Sequence, residues 1–283
     1  MKTAYCTFFA LGLLAGGARG QAVFTLETEA PSARDAAAQN ERLFGRRYAP
    51  QYLALGGADP FTDGMAGSAA NLMAYGVPRY ATVIEYVTPA LRGLRASALY
   101  SYGETPYSSA SNRVYGAALD YADGAVKLSV TQQRKDSVIL ADTGVAVLDT
   151  SARNTLLAAN FRAGRATVYA GYGVNKGPGS SPWDPANPYG ALALGESSRD
   201  SRDALLGLAV PVGRVTLLAS LIRKRDLEPA GRDARQLAIG LSAALSRRDV
   251  FYASYAKIRN RNGAAYTVGG GDSAINFGLR HGF

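Results

Sequence analysis

The sequence predicts an all-β protein, an antiparallel β-barrel that crosses a membrane. Three observations carry that prediction. In the last twelve residues, 272–283, Ile275, Phe277, Leu279, His281 and Phe283 fall on one face at a period of two, with Ala274, Asn276, Gly278, Arg280 and Gly282 on the other. An apolar, aromatic-rich face backed by a small and polar one is a strand between oil and water. The strand-like segments upstream are joined by connections that alternate strictly between short and long, the rhythm of a barrel with tight turns at one rim and loops at the other. Finally, no internal stretch reaches the roughly 18 consecutive apolar residues of a helical span, while Gly (32) and Tyr (17) are abundant. Glycine weakens helices, and tyrosine favours strands and membrane interfaces.

The chain opens with an export pattern: Lys2, a short apolar core over 4–14, and the small-x-small site Ala18-Arg19-Gly20. Residues 1–20 are therefore expected to be a signal peptide, and 21–283 a single barrel domain. A buried N-terminal helix is the alternative. Cys6 leaves with the leader, so no disulfide or thiolate metal site is expected in the mature chain. Loss of Lys2 and Arg19 leaves 29 basic against 22 acidic residues. The bases are dispersed without a basic helix or run, which argues against nucleic acid and for anionic solutes or lipopolysaccharide.

Residues 21–28 read as one strand with Phe24 and Leu26 on the oily face. A polar stretch, the segment RLFGRRY (42–48) and a Gly/Ala/Asp-rich run over 51–79 follow. A loop of that length in a compact domain is usually functional or disordered. From there strands are expected at 81–88, 94–103, 112–122, 126–134, 153–162, 165–175, 202–211, 214–224, 234–245, 249–259 and 272–283. Each has about the length a tilted membrane strand needs. The short connections are 89–93, 123–125, 163–164, 212–213 and 246–248; the long ones are 104–111, 135–152, 176–201, 225–233 and 260–271. Pro89 and Pro211 sit at strand ends, where a missing N–H is tolerated. The final strand, ending on the aromatic Phe283, reads as the closing strand of an outer-membrane barrel.

The chain resembles the trimeric general porins of Gram-negative outer membranes. The likeness runs through AVFTLE (22–27), RLFGR (42–46), YAPQYLALGGADPFTDGMAGSAANL (48–72), RNTLLAANF (153–161), VYAGYGVNKG (168–177), NPYGAL (187–192), DSRDALLG (200–207), ASYAKIRNRNGAAYTVG (253–269) and INFGLRHGF (275–283). The resemblance implies sixteen strands, with the third outer loop folded into the lumen as a constriction, here 51–79. Family members place five strands before that loop and eleven after it. This chain has the eleven, but only 21–28 is convincing before the loop. About twelve strands are thus expected, an even number that lets the first strand run outward and meet the last at the periplasmic rim. Such a barrel is narrower than its relatives.

Chemistry is sparse. His281 is the only histidine, so Ser-His-Asp catalysis or a multi-histidine zinc site is not expected, nor any cofactor or metal. GYGVNKG (171–177) has the wrong spacing for a nucleotide-binding turn, and its glycines read as easing strand packing. Trp183 sits in a Pro/Gly loop, as a sugar platform or an ordering plug. By resemblance, Asp59 and Asp63 present carboxylates from the constriction loop, and Arg42, Arg46 and Arg47 lie closest to the facing wall. Alternation turns Arg95, Lys127, Arg162 and Arg280 toward the lumen. Separated acidic and basic rows set a transverse field across a narrow passage. Tyr86, Tyr100, Tyr115, Tyr121, Tyr172 and Tyr252 suggest interfacial girdles.

The expected function is a water-filled channel for passive diffusion of small hydrophilic solutes and ions, with mild anion preference. The resemblance further implies a homotrimer in outer-membrane lipid and lipopolysaccharide, inserted by the barrel-assembly machinery through the terminal strand of Phe277, Leu279, His281 and Phe283. A plugged non-channel barrel acting as an adhesin or structural protein, a truncated relic, and a hydrolase built on His281 remain open on the sequence.

Overall fold

The computed structural model describes residues 8–10, 19–24, 43–61, 65–73, 79–102, 113–136, 138–140, 147–149, 151–177, 198–264 and 273–282. In chain order the elements are β1 (Phe8–Ala10), β2 (Arg19–Phe24), β3 (Leu43–Tyr48), α1 (Pro50–Ala58), α2 (Ala70–Met73), β4 (Arg79–Val87), β5 (Leu94–Ser101), β6 (Arg113–Asp123), β7 (Val126–Asp136), β8 (Val138–Leu140), β9 (Val147–Asp149), β10 (Ala152–Ala163), β11 (Ala166–Lys176), β12 (Asp200–Val212), β13 (Val215–Asp226), β14 (Ala234–Ala244), β15 (Asp249–Asn260) and β16 (Ser273–His281). The eleven strands expected after 80 form with ends shifted by only a few residues. β8 and β9 make a separate two-stranded ribbon within the long connection before β10.

One antiparallel run of twelve, β3 to β7 and β10 to β16, follows chain order with each strand paired to the next. This meander follows from the short turns, two of which place Gly164 (φ 63°) and Gly213 (φ 64°) in the left-handed region that a side chain disfavours. Alternation then sorts the faces. On β12, Ser201, Asp203, Leu205, Gly207 and Ala209 are buried, while Arg202, Ala204, Leu206 and Leu208 are exposed. On β14, Leu237 (60% exposed) and Ile239 (58%) point away from the buried Gln236 and Ala238. Large aliphatic side chains on the outside and polar ones within invert the usual globular pattern, as a strand facing lipid requires. Tyr86, Tyr115 and Tyr172 are outward and exposed, but Tyr252 is buried on the inner face at 2% exposure and contributes to no girdle.

Two expectations fail at the N-terminal side. The strand that precedes the inward loop is not 21–28 but β3, antiparallel to β4. Its register shifts between Gly45 and Arg47, and an irregularity of that kind breaks the period of two by which strands are recognised. The segment β2 does pair with β16, but in parallel, from Ala274 opposite Arg19 to Phe277 opposite Ala22. An antiparallel seam between the first and last strands is therefore not what β2 makes. β16 at the end of the run offers unpaired N–H and C=O groups, and an extended segment can take them in either direction. β1 continues outward from β2 as an antiparallel partner. Among the described residues, no pairing joins β3 to β1, β2 or β16.

Candidate functional site: the inner face and its inward loop

Residues 49–61 leave β3 and fold as α1, residues 65–73 include α2, and both segments lie along the inner face of the sheet. Pro50 at the first turn suits a helix start, where its missing N–H is no loss. The inner wall accommodates the segment by removing side chains where it passes. A Cβ on Gly207 would come within 2.7 Å of Pro60 Cδ, and one on Gly240 within 2.9 Å of Phe61 Cε1. Gly171, within the GYGVNKG segment, faces Met73 Cε at 3.6 Å from such a Cβ, so it makes room for the loop as well as for strand packing.

An apolar cluster fixes the segment there. Leu55, Phe61, Met65, Leu72 and Met73 bury against Leu156, Leu205, Leu218, Ile222 and Ile258 of the wall. Each such side chain contributes roughly 1.5–3 kcal/mol of burial. A smaller cluster at the loop's root joins Ala49, Tyr80, Val83, Leu99 and Val114, with Tyr52 against it.

A polar row crosses the same wall, about one rung per strand. Gln51 Nε2 donates to the Asn154 carbonyl (2.8 Å), and Asn154 Nδ2 to Asn175 Oδ1 (3.1 Å). Asn175 Nδ2 donates to Asp203 Oδ2 (2.8 Å). Lys224 Nζ donates to that same oxygen (2.8 Å) and to the Leu72 carbonyl (3.2 Å), with both ionic side chains fully buried. Asn71 Nδ2 donates to Gln236 Oε1 (2.8 Å), while Gln236 Nε2 donates to the Gly67 carbonyl (2.8 Å). The Ala66 N–H is shared by Ser254 Oγ (2.8 Å) and Asn276 Oδ1 (2.9 Å), which bond each other. Further hydrogen bonds offset the cost of burying an ion pair; here Lys224 Nζ uses the loop carbonyl of Leu72 as its second acceptor, and Asp203 Oδ2 also accepts from Asn175.

Of the residues singled out from sequence, Arg42, Asp63, Trp183 and Phe283 lie outside the described residues. Arg46 is in β3. Arg47 is half-buried, with Nε 3.9 Å from Glu85 Oε2. Asp59 follows α1, and its carboxylate is turned onto its own loop. Oδ1 accepts from the Phe61 N–H (2.9 Å) and Oδ2 from the Ala69 N–H (2.6 Å). Burial pushes this carboxyl up to about 7, against the two donors, which pull it down.

Arg95 shares its face with the buried Leu99 and Ser101, opposite Asp120 in register. Lys127 and Arg162 come together with Asn160, Thr167 and Tyr169 around a cavity of about 170 Å³ near the short turns. Asn160 Nδ2 donates to the Gly57 carbonyl (2.7 Å) and ties that cavity to the end of α1. Arg280 is on β16, its guanidinium 5.7 Å from the Tyr252 ring centre. Phe277 and Leu279 face outward and are exposed. His281 Nδ1 lies 2.6 Å from Asp249 Oδ1 on the neighbouring strand. The sequence reading missed Asp203 and Lys224. Both occupy positions that alternation turns inward, and their pairing needed only the register of β12 on β13.

A family model described as Gram-negative porin matches residues 14–263. Among solved structures, the chain is similar to an anion-selective porin from Comamonas acidovorans at 19% identity and a TM-score of 0.58, covering 84% of this chain and 69% of that one. It is similar to the outer-membrane protein OmpT of Vibrio cholerae with loop L8 deleted, at 15% identity and 0.57, covering 83% and 72%. OmpF of Salmonella typhi in complex with daunomycin gives 13% identity and 0.60, covering 82% and 71%. No curated protein sequence matches the chain.

Proposed function

The chain belongs to the Gram-negative porin family of the outer membrane, and from that premise we propose that it forms a water-filled channel for passive diffusion of small hydrophilic solutes and ions, with a mild preference for anions. The observation that carries this reading is the charge balance of the inner face. Arg95, Lys127, Arg162 and Arg280 share that face; of its carboxylates, Asp203 is consumed by Lys224, Asp59 by loop N–H groups and Glu85 by Arg47, while Asp120 stands opposite Arg95 and offsets one of the four cations. Positive charge in a narrow, low-dielectric passage raises the local anion concentration. Arg42, Arg46, Arg47 and Asp63 are assigned to the same constriction. The anion selectivity named for the Comamonas relative is in keeping with this.

The working form is a homotrimer in outer-membrane lipid and lipopolysaccharide. Residues 1–20 are the cleaved signal peptide, whose removal takes β1 and the first two residues of β2 from the edge beside β16; 21–283 are the barrel and 51–79 its constriction loop. The barrel-assembly machinery recognises the terminal strand through Phe277, Leu279, His281 and Phe283. No catalytic role is assigned to any residue. Single-channel conductance of the refolded protein in a planar bilayer under a salt gradient tests the proposal. Discrete steps with an anion-signed reversal potential are expected; cation-signed steps would overturn the selectivity.

One observation favours a plugged, non-channel barrel: residues 49–61 and 65–73 touch wall residues from β6 to β16 and build a buried apolar cluster against them. Silence from folded protein, relieved by deleting 51–79, would establish that function. Silence from protein that never folds would mark a truncated relic.

A further inference from the structure

Among the described residues, the inward loop turns one large apolar side chain away from the wall. Leu53 is 57% exposed, and the exposed Gly56 and Gly57, three and four positions further along α1, share its face. Glycine is a poor helix former, and no contact with the wall calls for it here, since a Cβ on either residue would meet nothing within 4 Å. Gly207 and Gly240 are the opposite case, pressed by Pro60 and Phe61. The lumen side of α1 is therefore a bare strip of one leucine and glycine backbone. The strip is also uncharged. Asp59 is the only charged residue among the described residues of the loop, and its carboxylate is held by the Phe61 and Ala69 N–H groups.

The cavity of about 170 Å³ opens beside the end of this strip. Lys127, Asn160 and Tyr169 form one rung across β7, β10 and β11, and Arg162 stands opposite Thr167 in the next rung toward the turns. Lys127 and Arg162 are exposed, and neither enters an ion pair among the described residues. As diagonal neighbours their heads can grip one anionic group from two sides. A guanidinium fork matches a carboxylate through paired N–H donors. Asn160 Nδ2, bonded to the Gly57 carbonyl (2.7 Å), pins the end of α1 to the cavity's edge. A few placed polar groups beside an apolar surface are the makings of a small-molecule site. The cavity is smaller than the roughly 300–1,000 Å³ of drug-sized pockets, which limits the occupant to a few heavy atoms.

We propose that the cavity and the strip together form a subsite for a small amphipathic monocarboxylate, an aromatic or short branched acid. Its carboxylate sits between Lys127 and Arg162, and its apolar body lies on Leu53, Gly56 and Gly57. This rests on the channel reading above and names its solute class. A bare inorganic anion would engage the cations alone and leave the leucine wet, so the apolar body is what the site selects. A subsite inside a channel must also let its solute leave, which requires a weak hold.

Binding is read by saturation-transfer NMR on the refolded protein in deuterated non-ionic detergent, with benzoate, acetate and benzyl alcohol as probes. Benzoate should bind about tenfold tighter than acetate, which has the charge without the ring, and than benzyl alcohol, which has the ring without the charge. K127Q/R162Q should weaken benzoate about tenfold and leave benzyl alcohol unchanged. L53S should weaken benzoate roughly threefold or more and leave acetate unchanged. R214Q, on the turn between β12 and β13, should alter none of the three. Benzoate held no tighter than acetate or benzyl alcohol, or weakened equally by R214Q, would overturn the proposal. Circular dichroism verifies that each variant is folded; should the double variant not fold, K127Q alone carries the comparison. In a planar bilayer, benzoate should lower the chloride conductance until the effect saturates. A silent bilayer from protein that still binds benzoate defeats the channel reading and leaves the subsite standing; discrete steps without benzoate binding defeat only the subsite.

Discussion

The inward loop is rooted in one arc of the wall and fastened to another. At its roots, β3, β4 and β5 run 6, 9 and 8 residues, with a register shift and an ion pair at 3.9 Å. On the far arc, β10 to β15 run 11 to 13 residues in unbroken register, and nearly every strand presents a rung to the loop. The difference shows where the loop's position is decided. Short strands with an irregular edge cannot orient the 30-residue excursion between Tyr48 and Arg79, so distant contacts must, and they are made to the most regular part of the sheet. The root arc is then free to vary in length while the loop keeps its seat.

The strongest way to break this contrast is at Lys224. Lys224→Met leaves the Asp203 carboxylate buried without its cation and should cost about 3–5 kcal/mol, read as a lowered urea midpoint of the refolded protein. Asp203→Leu combined with Lys224→Met should recover most of that loss, since an apolar pair replaces an ion pair well. Next is Gly240→Val. Its side chain would meet Phe61 and the Ala253 carbonyl and should cost about 1–3 kcal/mol as overpacking, with conductance altered as the loop shifts.

A smaller effect is expected at Asp59, whose carboxyl stands near 7 when seated, above its ordinary value. The seated loop binds the proton more tightly than the released loop, so seating is strongest in acid and weakens as pH rises through about 7. The carboxyl is half-buried and screened, so the seating equilibrium should move roughly tenfold rather than by the full shift. Protease susceptibility of the loop between pH 5.5 and 8.5 would follow it, and Asp59→Asn should flatten the curve. Smallest is Arg47→Gln in the root arc, at under about 1 kcal/mol for a part-exposed pair. A cost there matching that of Lys224 would erase the contrast between the arcs.

Legibility in the sequence divides along the same line. The far arc was readable because lipid outside and polar groups inside impose a period of two, and because Gly and Asp punctuate its turns. β3 escaped because a shift between Gly45 and Arg47 interrupts that period in a segment of six residues. The direction of β2 escaped because alternation is the same whichever way a strand runs. In the candidate site, Arg95, Lys127, Arg162 and Arg280 are positions alternation could reach. The rungs Asn154, Asn175, Asp203, Lys224, Gln236 and Asn276 also lie at such positions, but what makes them a site is their alignment across strands. That alignment depends on register, which one strand's sequence does not contain.

The row of rungs has a consequence for assembly errors. A strand that slips by one residue turns its oily face inward and is rejected by the hydrophobic effect alone. A slip by two residues keeps the oily face outward and escapes that filter, yet displaces its rung by about 6.6 Å. Asn175 would then miss Asp203, or Gln236 would miss Asn71, and a buried polar group would stand empty-handed. The loop thus proofreads even-numbered slips, the one class of misalignment to which a membrane strand's own pattern is blind.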